Sequence, residues 1–181
     1  MVEIITQKIT KHHELYSLPV LGEYWEELLH QAFVQSGQKS DWQPNRSHAI
    51  GKDIHHEEHG RISCKSGEYN IKKKILRING SRTTKYKTLE EKIKFLSENK
   101  DDVYYCLARN KKEWKDGLRK YYLFIFKSDI LNLGEQQWEE TRGGWKCACE
   151  KYEANISRAT SDQLWVSFNV GYLPEPVVIT L

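Results

Sequence analysis

Asp53 and Lys65 stand 12 positions apart in a segment whose turn residues mark a short hairpin, and a carboxylate beside an ammonium suits phosphodiester hydrolysis. Metal-dependent nucleases hold divalent cations at the scissile phosphate with carboxylates. They also use a positive side chain to stabilise the charge that develops there or to lower the pKa of the attacking water. Ser63 and Cys64 complete a Ser63-Cys64-Lys65 triplet, and Gly51 and Gly60 bracket the stretch as turn or close-approach positions. Other residues nearby invite different chemistry. The run His55-His56-Glu57-Glu58-His59 suggests zinc, but HExxH is absent and five successive polar residues suit a hairpin tip. Cys147 and Cys149 read as sharing a strand face without a second pair at zinc-finger spacing, and Cys106 reads as core. Alternation points Cys64 away from Lys65 into the core, which argues against an activated thiolate.

Net charge decides little, since 28 Lys and Arg face 25 Asp and Glu for a total of +3. The distribution is more informative. Lys65, Lys72, Lys73, Lys74, Arg77, Arg82, Lys85, Lys87, Lys92 and Lys94 crowd one stretch, as phosphate contacts or a solvated basic face would. The 6 Trp and 10 Tyr offer stacking surfaces for bases, although Trp25, Tyr122 and Trp165 sit in apolar patterns that read as core. Ser157-Arg158-Ala159-Thr160-Ser161-Asp162-Gln163 is a polar loop whose Arg158 and Gln163 suit base-edge readout, or an ordinary turn.

The elements that must position these residues follow from periodicity. With 181 residues, 39% hydrophobic, the chain suits one α/β or α+β domain spanning 1–181. Leu18, Leu21, Tyr24, Trp25, Leu28, Leu29, Ala32 and Phe33 predict an amphipathic helix over about 18–35, capped by Ser17 with Pro19 in its first turn. A polar loop over 35–46 leads to strands near 47–56 and 61–66. Residues 71–78 alternate Ile and Lys before a turn at Asn79-Gly80-Ser81. Thr88 and Glu91 form a capping-box pattern that opens a helix over 89–98. Residues 103–108 and 121–126 lack strict alternation, as central strands covered on both faces do, and 145–152 and 163–170 read as further strands. The 4 cysteines lack a secreted disulfide framework and no apolar signal segment opens the chain, so the expected compartment is the reducing cytoplasm. No run of about 20 apolar residues predicts a membrane span.

Gly51-Lys52-Asp53-Ile54 and Ile62-Ser63-Cys64-Lys65-Ser66-Gly67 resemble the metal-binding Asp and the (D/E)xK strand of the PD-(D/E)xK nuclease superfamily, specifically type II restriction endonucleases. Ser63 departs from the usual acid. Some restriction enzymes of this superfamily carry the same Ser-x-Lys and take the missing carboxylate from the following helix, which implies Glu91 or its neighbour Glu90 here. The segment 79–91 is similar to restriction-enzyme sequence leading into that helix, with Ser81, Arg82, Lys85 and Lys87 as phosphate contacts. Gly22-Glu23-Tyr24-Trp25-Glu26-Glu27 is similar to the first helix of such enzymes, which makes Glu26 or Glu27 an additional acid.

The resemblance implies an α/β, restriction-endonuclease-like central mixed β-sheet flanked by helices. It implies Mg²⁺ held by Asp53 and Glu91 with the Cys64 carbonyl, and Lys65 orienting or activating water beside Ser63. Double-stranded DNA carrying a short specific site is then the substrate, with a homodimer presenting two centres and a cognate DNA methyltransferase in the same system. The alternatives are a structure-specific or repair nuclease of the same fold and a non-catalytic nucleic-acid-binding module.

Overall fold

The computed structural model describes residues 1–42 and 53–181. Most of the strand expected near 47–56 therefore lies outside the described residues, as do Gly51 and Lys52 of the glycine-aspartate motif. Two helices open the chain, α1 (Val2–Leu15) and α2 (Glu23–Gln35). Helix α1 has little apolar signal, burying only Ile5 and Ile9, and the sequence pattern did not mark it. Helix α2 starts later than predicted, because Gly22 at φ 53° turns the chain into a left-handed conformation at the N-cap. Leu18 and Leu21 are exposed in the connection, so Ser17 and Pro19 neither cap nor open the helix.

The strands are β1 (Ser40–Asp41), β2 (Ile54–His56), β3 (Gly60–Asn70), β4 (Ile75–Arg82), β5 (Val103–Arg109), β6 (Lys120–Lys127), β7 (Glu139–Thr141), β8 (Gly144–Ala148), β9 (Tyr152–Ser157), β10 (Gln163–Asn169) and β11 (Val177–Thr180). Helix α3 (Leu89–Glu98) crosses from β4 to β5, and a short α4 (Lys111–Lys115) follows β5. Among the described residues these strands form one mixed sheet in the order β11-β6-β5-β3-β4-β10-β9-β8-β7, with β1 and β2 attached beside β3. The pair β3–β5 is parallel, as its helical crossover requires, and the other pairs are antiparallel. No helix among the described residues is long and apolar enough to cross a membrane.

Helices α1 and α2 cover one face, where Ile9, Trp25, Leu29 and Phe33 pack on Ile62, Cys64, Tyr105 and Leu107. Helix α3 covers the other, where Phe95 and Leu96 join Leu76, Ile78, Cys106, Phe124 and Phe168. Strand β5 sends alternate side chains into both cores, which is why its sequence does not alternate in polarity.

Three local expectations are corrected. The turn placed at Asn79-Gly80-Ser81 falls instead at 71–74, where Lys74 takes φ 52°. Asn79, Gly80 and Ser81 lie inside β4 at a β-bulge against β10, and a Cβ on Gly80 would stand 3.0 Å from the Leu164 side chain. The single strand read over 145–152 is the two strands β8 and β9, so Cys147 is buried in β8 whereas Cys149 lies past its end and is exposed.

Strand β3 is paired differently along its two edges. One edge pairs with β5 from Ile62 to Glu68. The other pairs with β2 at residues 60–62 and with β4 only at residues 68–70, so β3 and β4 fork apart at Gly67. Among the described residues, 63–67 have no strand partner on that edge.

Candidate active site in the gap beside strand three

Asp53 immediately precedes β2, and its carboxylate enters the gap. Its Oδ2 accepts the Cys64 backbone N–H at 2.7 Å, the Lys65 ammonium at 3.2 Å and the Ser63 hydroxyl at 3.4 Å. In an extended strand a residue's N–H and C=O leave by the same edge, so the Cys64 carbonyl faces this gap as well. Asp53 and Lys65, the pair singled out in the sequence, thus meet as expected, with Ser63 and the Cys64 backbone.

Asp101 is the acid that sequence reasoning missed. It lies just ahead of β5, where the parallel pairing with β3 sets it beside Ser63. Asp102 positions it: the Arg61 and Asp102 backbones and the Asp102 carboxylate are mutually hydrogen-bonded, and Ser128 donates to both the Asp101 and Asp102 carbonyls. Burial raises the Asp101 carboxyl above the ordinary aspartate range, and the Asp53 charge adds to this, whereas Ser63, Lys65 and Arg61 pull the other way. The signal available beforehand was an acidic residue directly upstream of a predicted strand.

For Lys65, burial works against the ammonium, but the Asp53 charge and hydrogen bond, with Asp101, hold its pKa above the usual lysine value. It is a fixed cation, not a proton acceptor. The Cys64 thiol is pushed well up by burial and by the charges of Asp53 and Glu26, which makes it an inert core group, as alternation indicated.

The remaining sequence candidates divide clearly. Glu91 caps α3: its carboxylate accepts the Lys87 and Thr88 amides, the capping box the sequence announced. Neither it nor the exposed Glu90 is the acid beside Lys65; Asp101 takes that place. Glu26 is half-buried on α2, close enough for its charge to act on Cys64, whereas Glu27 is exposed. Ser81, Arg82, Lys85 and Lys87 are exposed at the end of β4 and in the loop beyond it. Arg158 is paired with Glu140 and lies over Trp145 at 4.7 Å, and Gln163 donates to the Gly80 carbonyl at 3.3 Å. Lys92, counted with the phosphate-facing cations, is buried and bound to Asp162 at 3.0 Å.

Among the described residues no three His, Cys, Asp or Glu side chains converge as a metal cluster, and the His55–His59 run gives none. The His56 Nδ1 instead accepts the Glu58 and His59 amides. The gap nonetheless has donors of the kind magnesium takes. The Asp101 Oδ1 is buried without a hydrogen-bond partner, and Asp53 and the Cys64 carbonyl lie in the same gap. Mg²⁺ takes one or two carboxylates and fills its other positions with water and substrate phosphate. No protein-family model, curated protein or solved structure matches the chain.

Proposed function

We propose that this protein is a Mg²⁺-dependent deoxyribonuclease of the type II restriction kind, hydrolysing phosphodiester bonds at a short specific site in double-stranded DNA. The observation that carries this reading is one carboxylate oxygen of Asp53 held by a backbone amide, a hydroxyl and an ammonium, with the unpartnered Oδ1 of the Asp101 carboxylate beside it. Asp53, Asp101 and the Cys64 carbonyl would hold the cation. When bound, Mg²⁺ supplies a polarised phosphoryl oxygen and a coordinated water of lowered pKa. Lys65 keeps its proton, so it stabilises charge growing on the phosphate and orients the attacking water. Ser63 fixes the carboxylates' orientation.

Cutting both strands of a symmetric site is served most simply by a two-fold homodimer, with a cognate methyltransferase protecting the same sequence. The four cysteines are free thiols, in keeping with a reducing cytoplasm.

Digestion of a defined plasmid with Mg²⁺ and with EDTA is the test. Discrete Mg²⁺-dependent fragments are expected, and Asp53→Ala and Lys65→Ala should bind DNA without cutting it. Smears or nicks would move the reading to a structure-specific or repair nuclease. Absence of cleavage by the wild type, or full cleavage by either variant, overturns it.

A further inference from the structure

Where β3 and β4 fork, a cleft of about 300 Å³ opens on the α1–α2 face of the sheet. Arg77, Arg109, Lys111, Glu68, Asn79 and Trp165 line it. Strand register explains why they converge. Glu68 is directly opposite Arg77 on β4 and Arg109 on β5, so the three side chains form one row on one face. Asn79 is opposite Trp165 on β10, the next row along. Glu68 neutralises only Lys111, at 2.6 Å. The guanidinium of Arg77 lies 4.8 Å over the Trp165 ring and that of Arg109 lies 5.7 Å over Trp114, and among the described residues neither has a carboxylate partner. Two cations seated on indole rings are thus left free to meet anions.

We infer that this cleft seats a nucleic-acid strand, its phosphates against Arg77 and Arg109 and a base against the Trp165 ring beside them. The inference rests on the nuclease reading, because Ser66 and Gly67 of the cleft wall directly follow Lys65 along β3. By alternation Lys65 points to the α3 face, so the bound strand would reach the Asp53–Lys65 gap through the fork, where β3 lacks a strand partner on that edge among the described residues. Cations interleaved with aromatic rings fit a polymer that alternates phosphate and base, whereas an acidic peptide has no use for the rings.

The test is fluorescence anisotropy of labelled duplex and single-stranded oligonucleotides in EDTA, with the full-length protein over a salt series. Arg77→Ala/Arg109→Ala should lower the slope of log affinity against log salt by about 1.4 to 1.8, the loss of two phosphate contacts. Trp165→Leu should weaken binding about fivefold or more. Should that variant fold poorly by circular dichroism, Lys111→Glu on the surface is the substitute, with the same direction expected. Lys115→Ala, on α4 outside the cleft, should leave the slope unchanged.

Binding that ignores the cleft variants, no binding by the wild type, or equal displacement by polyglutamate overturns the inference. The two readings fail separately. Cleft-dependent binding by a protein that never cuts with Mg²⁺ supports the cleft and defeats the nuclease. Mg²⁺-dependent cutting with binding indifferent to the cleft does the reverse.

Discussion

Two lysine–aspartate pairs in this molecule have similar lengths and opposite surroundings. Lys65–Asp53 spans 3.2 Å with side chains 22% and 25% exposed, and Lys92–Asp162 spans 3.0 Å with Lys92 only 2% exposed. The Lys92 ammonium also donates to the Thr83 carbonyl at 2.9 Å and to that of Tyr86, so its three protons are all used. It pins the loop between β4 and α3 to the one before β10. The Lys65 ammonium has Asp53, a second carboxylate nearby in Asp101, and solvent access. Saturated hydrogen bonding makes Lys92–Asp162 a structural clamp, and incomplete saturation leaves Lys65–Asp53 with hydrogen-bonding capacity to spare.

Breaking the clamp should have the largest energetic effect. Lys92→Ala leaves the Asp162 carboxylate and the Tyr86 carbonyl without this donor, while the Thr83 carbonyl keeps the Tyr86 amide, and should cost about 3–5 kcal/mol in urea denaturation. Lys92→Met/Asp162→Leu should recover much of that. If the single variant is as stable as wild type, the clamp is not structural.

Lys65→Ala should behave the opposite way. Cleavage should fall at least about 100-fold, as when one transition-state donor is removed. Stability should change by about 1 kcal/mol, because Asp53 keeps the Cys64 amide. A variant that unfolds like the Lys92 one would erase the distinction.

Asp101→Asn sharpens it further. The folded state binds the Asp101 proton more tightly than an unfolded chain does, so this group makes the folded protein lose stability as pH rises from the ordinary aspartate pKa to its own raised one. The variant should lack that slope and melt at the same temperature as wild type or higher at neutral pH. Its Mg²⁺-induced rise in melting temperature should shrink. An undiminished magnesium response would remove Asp101 from the site.

Glu91→Ala should have the smallest effect. Losing one side of the capping box slightly lowers the melting temperature without altering cleavage. Abolished cleavage would return Glu91 to the metal site.

How much of the molecule was legible in the sequence depends on the range of the forces involved. The span 89–98 and its Thr88–Glu91 box agree with α3, because capping is a contact between residues three apart. The strands near 103–108 and 121–126 correspond closely to β5 and β6, since dense β-branched and aromatic runs leave few alternatives. The meeting of Asp53 with Lys65 needed only one hairpin. Asp101 was hidden because it reaches β3 through a parallel crossover, a pairing that leaves no local pattern. Arg109 joins Glu68 through the same parallel pairing, whereas Arg77 was hidden because the hairpin turn was read at 79–81 and lies at 71–74. Lys92 looked exposed because its acceptors come from Thr83, Tyr86 and the distant Asp162. The start of α2 was misplaced because Leu18 and Leu21 continue the helical spacing while facing solvent.

The ladder between β3 and β4 is only three residue pairs long, yet misalignment there would be costly. Sliding β4 by one position would turn Arg77 toward the α3 core and bring Leu76 and Ile78, now 0% and 3% exposed, out toward water. Each aliphatic side chain so displaced forfeits about 1.5–3 kcal/mol of burial. The oily residues flanking Arg77 therefore act as its alignment pins, and the placement of a polar side chain on one face is enforced by neighbours buried on the other.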